Sequence, residues 1–287
     1  MPIGHSFLAL AVICIWALNM IVIKLGVAEI PPLLMCAMRF IAVSILLVPF
    51  VRIPRARIPG VILVSFTFGT LHFGLLFIAL ESAEAGTSAV IIQLGAPIAT
   101  LLACLAFHEK LGPVRLLGLA ISVAGIGILA AGPTLPGILP FALLIVSATG
   151  WAVTNLIIKS LADVKPMAMM GWSSLFSVPQ LLLASWFLEG QRWGMVADAG
   201  WYGWFCVAYS AIGSSIIGYG IWYWLLQKHS INAVVPYSML NPLLTVAFGI
   251  LLIGDDPSLV KVIGACVMVV GVALILRKRD AALPETA

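Results

Sequence analysis

Charged side chains are scarce in this chain. Only 9% of its 287 residues are Asp, Glu, Lys or Arg, whereas 62% are hydrophobic. A soluble protein carries roughly a quarter of its residues charged, so a soluble globular class is excluded. The long apolar runs show no alternation with a period of two, which favours helices over a membrane barrel. The sequence therefore predicts an all-α integral membrane protein in a lipid bilayer.

Catalytic and metal-binding signatures are also missing. The five cysteines lie inside apolar runs without ligand spacing, and neither HExxH nor GxSxG occurs. An intramembrane enzyme would need paired carboxylates, a serine with a base, or a histidine-rich metal set. We expect no enzyme, metal or cofactor. The net charge of +4 comes from loops and the tail rather than from a basic patch, so nucleic acid is not an expected partner.

Charged, Pro and Gly clusters divide the chain into about ten apolar segments, each near the ~20 residues that a membrane-spanning helix needs. The first lacks a basic n-region and is long enough to span, so we expect it to remain as a helix rather than to be removed as a signal peptide. The predicted segments are 6–27, 32–51, 60–80, 85–107, 114–132, 137–160, 167–188, 201–226, 231–253 and 259–277.

The two halves of the sequence resemble each other. At an offset of 135, Trp16 matches Trp151 and Lys24 matches Lys159; the offset then drifts to 145, where Pro97 matches Pro242. After one more inserted residue, the matched pairs are Glu109 with Asp255, Arg115 with Lys261, Gly118 with Gly264 and Gly125 with Gly271. We expect one five-helix repeat over 1–132, a second over 137–280, and a cytoplasmic tail at 281–287.

Basic residues predict the orientation. With a cytoplasmic N-terminus, eleven Lys and Arg residues fall on the inside and only Lys24, Arg192 and Lys261 on the outside. Both termini should then be cytoplasmic, in a cell inner membrane. Because five is an odd number, the second repeat enters the membrane with the opposite orientation. Two inverted repeats around a central site are typical of transporters, and we expect a monomer that binds a small-molecule substrate.

Matched prolines indicate where the cavity lies. A proline inside a membrane helix frees the carbonyl four residues earlier, which is Gln93 for Pro97 and Ser238 for Pro242. A packed kink satisfied by neighbouring helices is the alternative for each proline alone. Polar and aromatic groups occur at compatible depths, and the interfacial position that Trp and Tyr often take is their alternative. The predicted substrate-binding residues are Trp16, Asn19, His72, Gln93, Trp151, Asn155, Tyr219, Tyr223, Tyr237, Ser238 and Asn241, with Pro97 and Pro242 as helix kinks.

Two of the ionisable groups allow more than one interpretation. His72 is either a polar contact to substrate or a neutral histidine bonded to a neighbouring helix. Arg39 is expected to snorkel or to bind backbone carbonyls as a structural lock, with binding of a substrate carboxylate as the alternative. No Asp or Glu lies near the centre of a predicted segment. Since proton-driven antiporters usually place a carboxylate in the pathway, facilitated movement is favoured, with proton coupling through His72 as the alternative.

These landmarks resemble the drug/metabolite transporter superfamily, specifically its ten-helix EamA-type members. The resemblance covers essentially the whole chain and rests on Trp16 with Lys24, on Arg39–Phe40 in the second segment, and on two closing modules, FHEKLGPVRLLGLAISVAGIGI (107–128) and LIGDDPSLVKVIGACVMVVGVALI (252–275). It implies ten helices in two inverted repeats and small organic metabolites as cargo. Within the superfamily the chain is most similar to YddG-type exporters, which implies export of aromatic and other neutral amino acids.

Other functions remain as alternatives. Export of other metabolites or of hydrophobic drugs keeps the fold, and a receptor or channel fits the duplication less well. The small multidrug pumps of the superfamily carry a membrane-embedded Glu in their first helix, whereas Asn19 is the nearest polar group here. Cationic drug antiport is therefore not expected.

Overall fold

Ten apolar helices make up the computed structural model, which describes residues 2–95, 97–99, 101–102, 112–132, 135–229 and 234–276. Within these ranges the chain is all-helical, and six helices are long enough to cross a membrane alone, with four shorter apolar ones. The prediction of an all-α membrane fold is confirmed. The helices are α1 (Ile3–Gly26), α2 (Pro32–Leu47), α3 (58–82), α4 (Ala85–Ile92 and onward past 93–94), α5 (Pro113–Ala130), α6 (Ile138–Ser160), α7 (Pro166–Glu189), α8 (201–228), α9 (235–253) and α10 (Leu259–Leu276).

Proline and glycine set several of the boundaries. α2, α5 and α7 each begin at a proline, where the missing N–H is one that a first turn leaves unpaired and the ring already holds a helical φ. α9 ends at Gly254, whose φ of 72° lies in the left-handed region that favours glycine. The tail predicted at 281–287 lies outside the described residues.

Equivalent helices of the two repeats pack on one another: α2 on α7, α4 on α9 and α5 on α10. In the α5–α10 pair, a Cβ on Gly125 would lie 2.9 Å from the Gly264 carbonyl oxygen, and one on Gly271 would lie 2.7 Å from that of Gly118. Exchanging each residue for its repeat mate converts one contact into the other, as a twofold axis does. The register runs antiparallel, so this axis is perpendicular to the helices and lies in the membrane plane. Packing of this kind follows from inverted repeats.

The middles of α3 and α8 are π-helical, over Ser65–Gly74 and Tyr209–Gly218. These ten-residue stretches occupy equivalent places in the two repeats. A π-helix shifts each backbone hydrogen bond by one residue, and side chains of other helices bind carbonyls on both stretches: Ser177 Oγ donates to Ser65 O (3.0 Å), and Trp16 Nε1 donates to Ser214 O (3.2 Å). Such stretches are frequent at functional sites.

Two carboxylates cap helices at the face of the bundle where α1 ends, which we call the α1-end face. Glu189 accepts the backbone N–H groups of Leu33 (2.9 Å) and Leu34 (3.2 Å) at the start of α2. Glu29 accepts those of Gly200 (3.1 Å) and Gly203 (2.9 Å) at the start of α8. Both satisfy N–H groups that a helix start leaves unpaired, and negative charge suits the positive end of the helix dipole.

Candidate functional site

A cavity of about 280 Å³ lies between helices of both repeats. Its wall combines aromatic rings, neutral polar groups and aliphatic side chains, which is the usual composition of a small-molecule site. The lining residues are Trp16, Asn19, Met20, His72, Phe73, Leu76, Ala89, Ile92, Gln93, Trp151, Ser214, Tyr219, Ser238, Asn241 and Val272.

The cavity lies near half depth in the bundle. Trp16 is ten residues from the end of α1, and Trp151 is thirteen residues from the start of α6. At about 1.5 Å per residue these positions are about 15 Å and 20 Å from the α1-end face. The hydrocarbon layer is about 30 Å thick, so both indoles lie close to the middle of the membrane.

Eight of the eleven predicted binding residues line this cavity; they are Trp16, Asn19, His72, Gln93, Trp151, Tyr219, Ser238 and Asn241. The structure does not place Asn155 there: its side chain is exposed and its amide donates to Trp151 O at 2.8 Å. Tyr237 instead packs on the apolar cluster around Val12 and Ile13. The side chain of Tyr223 lies outside the described part of the chain. That any of these residues binds substrate stays a prediction.

Trp16 is held firmly against α8. Its indole N–H donates to Ser214 O, and its ring centroid lies 4.8 Å from that of Tyr219 and 5.3 Å from that of Trp222. Gly218 makes this approach feasible, because a Cβ there would lie 2.7 Å from Trp16 Nε1. Hydrogen bonding and ring packing together leave the indole one orientation, as a preorganised wall requires.

His72 joins the π-helical part of α3 to α6 and also faces the cavity. Its Nδ1 is 3.1 Å from Ser147 O, while Ser147 Oγ donates to the His72 carbonyl at 2.7 Å. The ring stacks on Phe68 with centroids 5.7 Å apart. His72 is therefore bonded to a neighbouring helix and also lines the cavity, and its contact with substrate stays a prediction.

Polar groups of the cavity sit where helices break. α4 is interrupted at 93–94, just before Pro97, and Gln93 lines the cavity at this break. In α9 a 3₁₀ stretch, Val235–Leu240, precedes Asn241–Phe248, so Pro242 stands in a first α-helical turn. It thus lies at a change of helix type rather than inside a continuous helix, which is where its missing N–H is best tolerated.

Asn19 supplies an acceptor without a partner. Its side chain is 5% exposed, and its Oδ1 has no hydrogen-bond partner among the described atoms. A buried polar atom left in this way costs free energy unless something else binds it. A ligand N–H group in the cavity would satisfy it.

Seven lining residues were missed by the sequence reasoning. Phe73 and Ser214 had a usable signal, because each belongs to the central part of a repeat-related helix that carries polar or aromatic groups. The five aliphatic ones had none, since every helix is apolar on most sides and the composition does not mark the face that meets the cavity; they are Met20, Leu76, Ala89, Ile92 and Val272. Among the described residues, no group of His, Cys, Asp and Glu could hold a metal ion.

The α1-end face is joined across the repeats by a set of contacts that we call the latch: Glu84, Gly86, Asp255, Asp256 and Lys261. The Lys261 ammonium lies 2.7 Å from Glu84 Oε2 and donates to Asp256 O at 2.7 Å. Gly86 N lies 3.5 Å from Asp255 Oδ2. Burial and then the charge of Glu84 raise the pKa of Asp255 above its usual value. The latch thus joins the two repeats at this face through one buried ammonium, whose side chain is 0% exposed.

Ten apolar helices among the described residues, in two repeats with a cavity at half depth between them, are the architecture of a membrane transporter. A family model, that of the EamA-like transporter family, matches residues 3–131 and 138–277. The chain belongs to this family, so it is a multi-pass membrane transporter with a small-molecule substrate and not an enzyme.

Relatives and a solved structure agree with this assignment. A "Probable amino-acid metabolite efflux pump" of Salmonella typhimurium is 29% identical over 93% of this chain and 92% of its own length. The Escherichia coli protein of the same description is 28% identical, with 92% of each chain covered. A crystal structure of a protein with 18% identity matches at a TM-score of 0.67, covering 95% of this chain and 97% of that one; it supports the fold alone.

Proposed function

We propose that this protein exports small neutral metabolites, chiefly aromatic and other neutral amino acids, by alternating access around the central cavity. The observation that carries the proposal is the cavity wall. Trp16, Trp151 and Tyr219 offer flat apolar surfaces to a side chain, whereas Asn19, Gln93 and Asn241 offer neutral hydrogen-bonding groups to a zwitterion. The efflux-pump description of the two relatives supports the same class of cargo.

The latch gives the proposal its mechanism. With both termini cytoplasmic, as the basic residues predict, the latch closes the outer face. Cargo then enters from the cytoplasm, and release requires the Glu84–Lys261 contact between the repeats to separate. Because the repeats are related by a twofold axis in the membrane plane, rocking one against the other exposes the cavity to each side in turn.

Facilitated rather than proton-driven transport is part of the proposal. Among the described residues that line the cavity, His72 is the single histidine, and none is Asp or Glu. A proton-coupled exporter would need a carboxylate in the pathway, or it would need His72 to gain and lose a proton during transport. Cargo moving down its own gradient needs neither.

Liposomes that contain the purified protein should exchange labelled phenylalanine or methionine without a pH gradient. A protonophore should leave the rate unchanged, since no proton moves with the cargo. Flux no higher than in protein-free liposomes would rule out amino acid transport. A panel of unlabelled competitors separates the alternatives: hydrophobic drugs that block the flux while amino acids do not would favour drug export.

Replacing Trp16 with alanine should lower the rate of phenylalanine exchange about tenfold, because stacking of a ring on an aromatic wall contributes on the order of 1 kcal/mol beyond the apolar area that it buries. Trp186→Ala is the matched control, since that residue is 62% exposed and does not line the cavity. Equal rates for the two variants, at equal amounts of folded protein, would mean that Trp16 packs helices without contacting cargo.

A further inference from the structure

Arg39 is a permanent positive charge sealed inside the membrane. It lies seven residues into α2, about 10 Å from the helix start, and is 1% exposed. The ion pairs among the described residues involve Arg57, Arg192 and Lys261, and none includes Arg39. A guanidinium does not lose its proton in a protein, so this part of the bundle carries a full charge that no described carboxylate pairs with.

The contacts of the guanidinium leave one nitrogen unsatisfied. Nε and Nη2 both donate to Ser215 Oγ, at 3.1 Å and 3.0 Å, and the group lies over the Phe73 ring, 4.1 Å from its centroid. Nη1 has no hydrogen-bond partner among the described atoms. The contacts with one hydroxyl and one aromatic ring do not compensate the free energy of hydration that the cation loses on burial. The sequence-based expectation of bonds to backbone carbonyls is wrong for Nε and Nη2, which bind a hydroxyl.

The packing of the helices does not require this charge. At the offset of 135 that relates α2 to α7, the repeat mate of Arg39 is Ser174, which is 1% exposed. α7 packs on the π-helical part of α3 as α2 packs on that of α8. An uncharged side chain therefore suffices at the equivalent place in the other repeat, and the charge of Arg39 needs a different explanation.

The charge stands directly behind the cavity wall. The Arg39 guanidinium lies over the ring of Phe73, which lines the cavity. It also donates to Ser215, which directly follows the lining residue Ser214 in the sequence. Since the described lining contains no Asp or Glu, the field of Arg39 reaches the cavity without compensation by an acid there. At this depth the surroundings have a low dielectric constant, so a charge acts over a distance of one side chain.

We propose that Arg39 gives the cavity a carboxylate subsite and thereby makes the protein select cargo that carries an anionic group. The inference rests on the proposed function and narrows its substrate class from neutral metabolites to carboxylate-bearing ones. The cargo carboxylate lies at the Phe73 side of the cavity, in the field of Arg39. An ammonium on the same molecule donates to the unpaired Asn19 Oδ1. A zwitterionic amino acid satisfies both groups.

Binding of two matched probes tests the proposal. L-Phenylalanine and L-phenylalaninamide share a side chain and an ammonium group, and only the first has a carboxylate. Titration calorimetry on the purified full-length protein at pH 6 should show at least about tenfold tighter binding of phenylalanine. Arg39→Gln should reduce that preference about tenfold, chiefly by weakening phenylalanine. Arg39→Lys should retain it, because the charge remains.

Ser215→Ala is the control for a purely structural role. It removes both hydrogen bonds of the guanidinium but not the charge, so the preference for phenylalanine should survive. Two results would overturn the proposal: an equal preference for phenylalanine in Arg39→Gln and the wild type, or loss of that preference in Ser215→Ala as well as in Arg39→Gln. Either result would mean that Arg39 is a structural clamp between α2 and α8. Should Arg39→Gln not fold, a wild type that binds both probes equally overturns it. A wild type that binds neither overturns the proposed function itself.

Discussion

Replacing Gly271 with leucine should prevent α5 and α10 from packing, and the variant should fail to fold or should be strongly destabilised. A Cβ at this position would meet the backbone N and Oγ of Ser122 and lie 2.7 Å from the Gly118 carbonyl oxygen. Two of these three atoms belong to the backbone of α5, which cannot move aside as a flexible side chain can. Overpacking a tight contact costs about 1–3 kcal/mol, and more where the backbone must shift. We expect Gly271→Leu to lower the free energy of unfolding by about 3 kcal/mol or more.

The measurement is the yield of monodisperse protein in detergent and its thermal unfolding midpoint. Gly127→Leu is a matched control on the same helix pair, because a Cβ on Gly127 would meet nothing within 4 Å. The control should purify and unfold as the wild type does, whereas Gly271→Leu should aggregate or melt well below it. Equal behaviour of the two variants would contradict the close α5–α10 crossing and the twofold relation inferred from it.

The repeats were predictable because their landmarks are chemically distinct. The match of Gly118 with Gly264 and of Gly125 with Gly271 is visible in the sequence, and the structure places these four glycines in one antiparallel crossing. Helix limits were also close, since proline starts α2, α5 and α7. These features depend on local backbone chemistry, which a single sequence carries.

The cavity was only partly predictable, for a physical reason. A membrane helix is apolar on its lipid side and its packed side alike, so hydrophobic periodicity does not show which way a residue points. Asn155 illustrates this: it is spaced i, i+4 from Trp151, yet its amide bonds back to that residue's carbonyl. The π-helical stretches of α3 and α8 were not predicted either, and they change the angular position of each residue that follows.

The latch combines predictable and unpredictable parts. The match of Asp255 with Glu109 and of Lys261 with Arg115 follows from the sequence, but Glu109 lies outside the described residues. Nothing in the sequence pairs Lys261 with Glu84, since they belong to different repeats and 177 positions separate them. Their 2.7 Å contact lies where α4 packs on both α9 and α10. A Cβ on Gly86 would lie 3.0 Å from Val246 Cα there.

Replacing Glu84 with glutamine should open the α1-end face. Lys261 would keep its bond to Asp256 O but lose its ion-pair partner while remaining 0% exposed. Removing one partner of a buried pair costs about 3–5 kcal/mol; because the Glu84 side chain is 29% exposed, we expect the lower end. A closed state weakened by about 3 kcal/mol falls more than tenfold in population relative to the open one.

Hydrogen exchange read by mass spectrometry reports this opening. Backbone amides of 85–92 and 241–253 should exchange more than tenfold faster in Glu84→Gln, because these segments pack on each other beneath the latch. Glu81→Gln is the matched control: it breaks the Arg192–Glu81 pair on the same face, in which both side chains are 39% exposed, so the loss should stay below about 1 kcal/mol. Lys261→Met added to Glu84→Gln removes the stranded charge and should slow exchange again. Exchange in Glu84→Gln that is no faster than in the wild type would mean that the ion pair does not hold the repeats together, and closure would then rest on the apolar contact of α4 with α9.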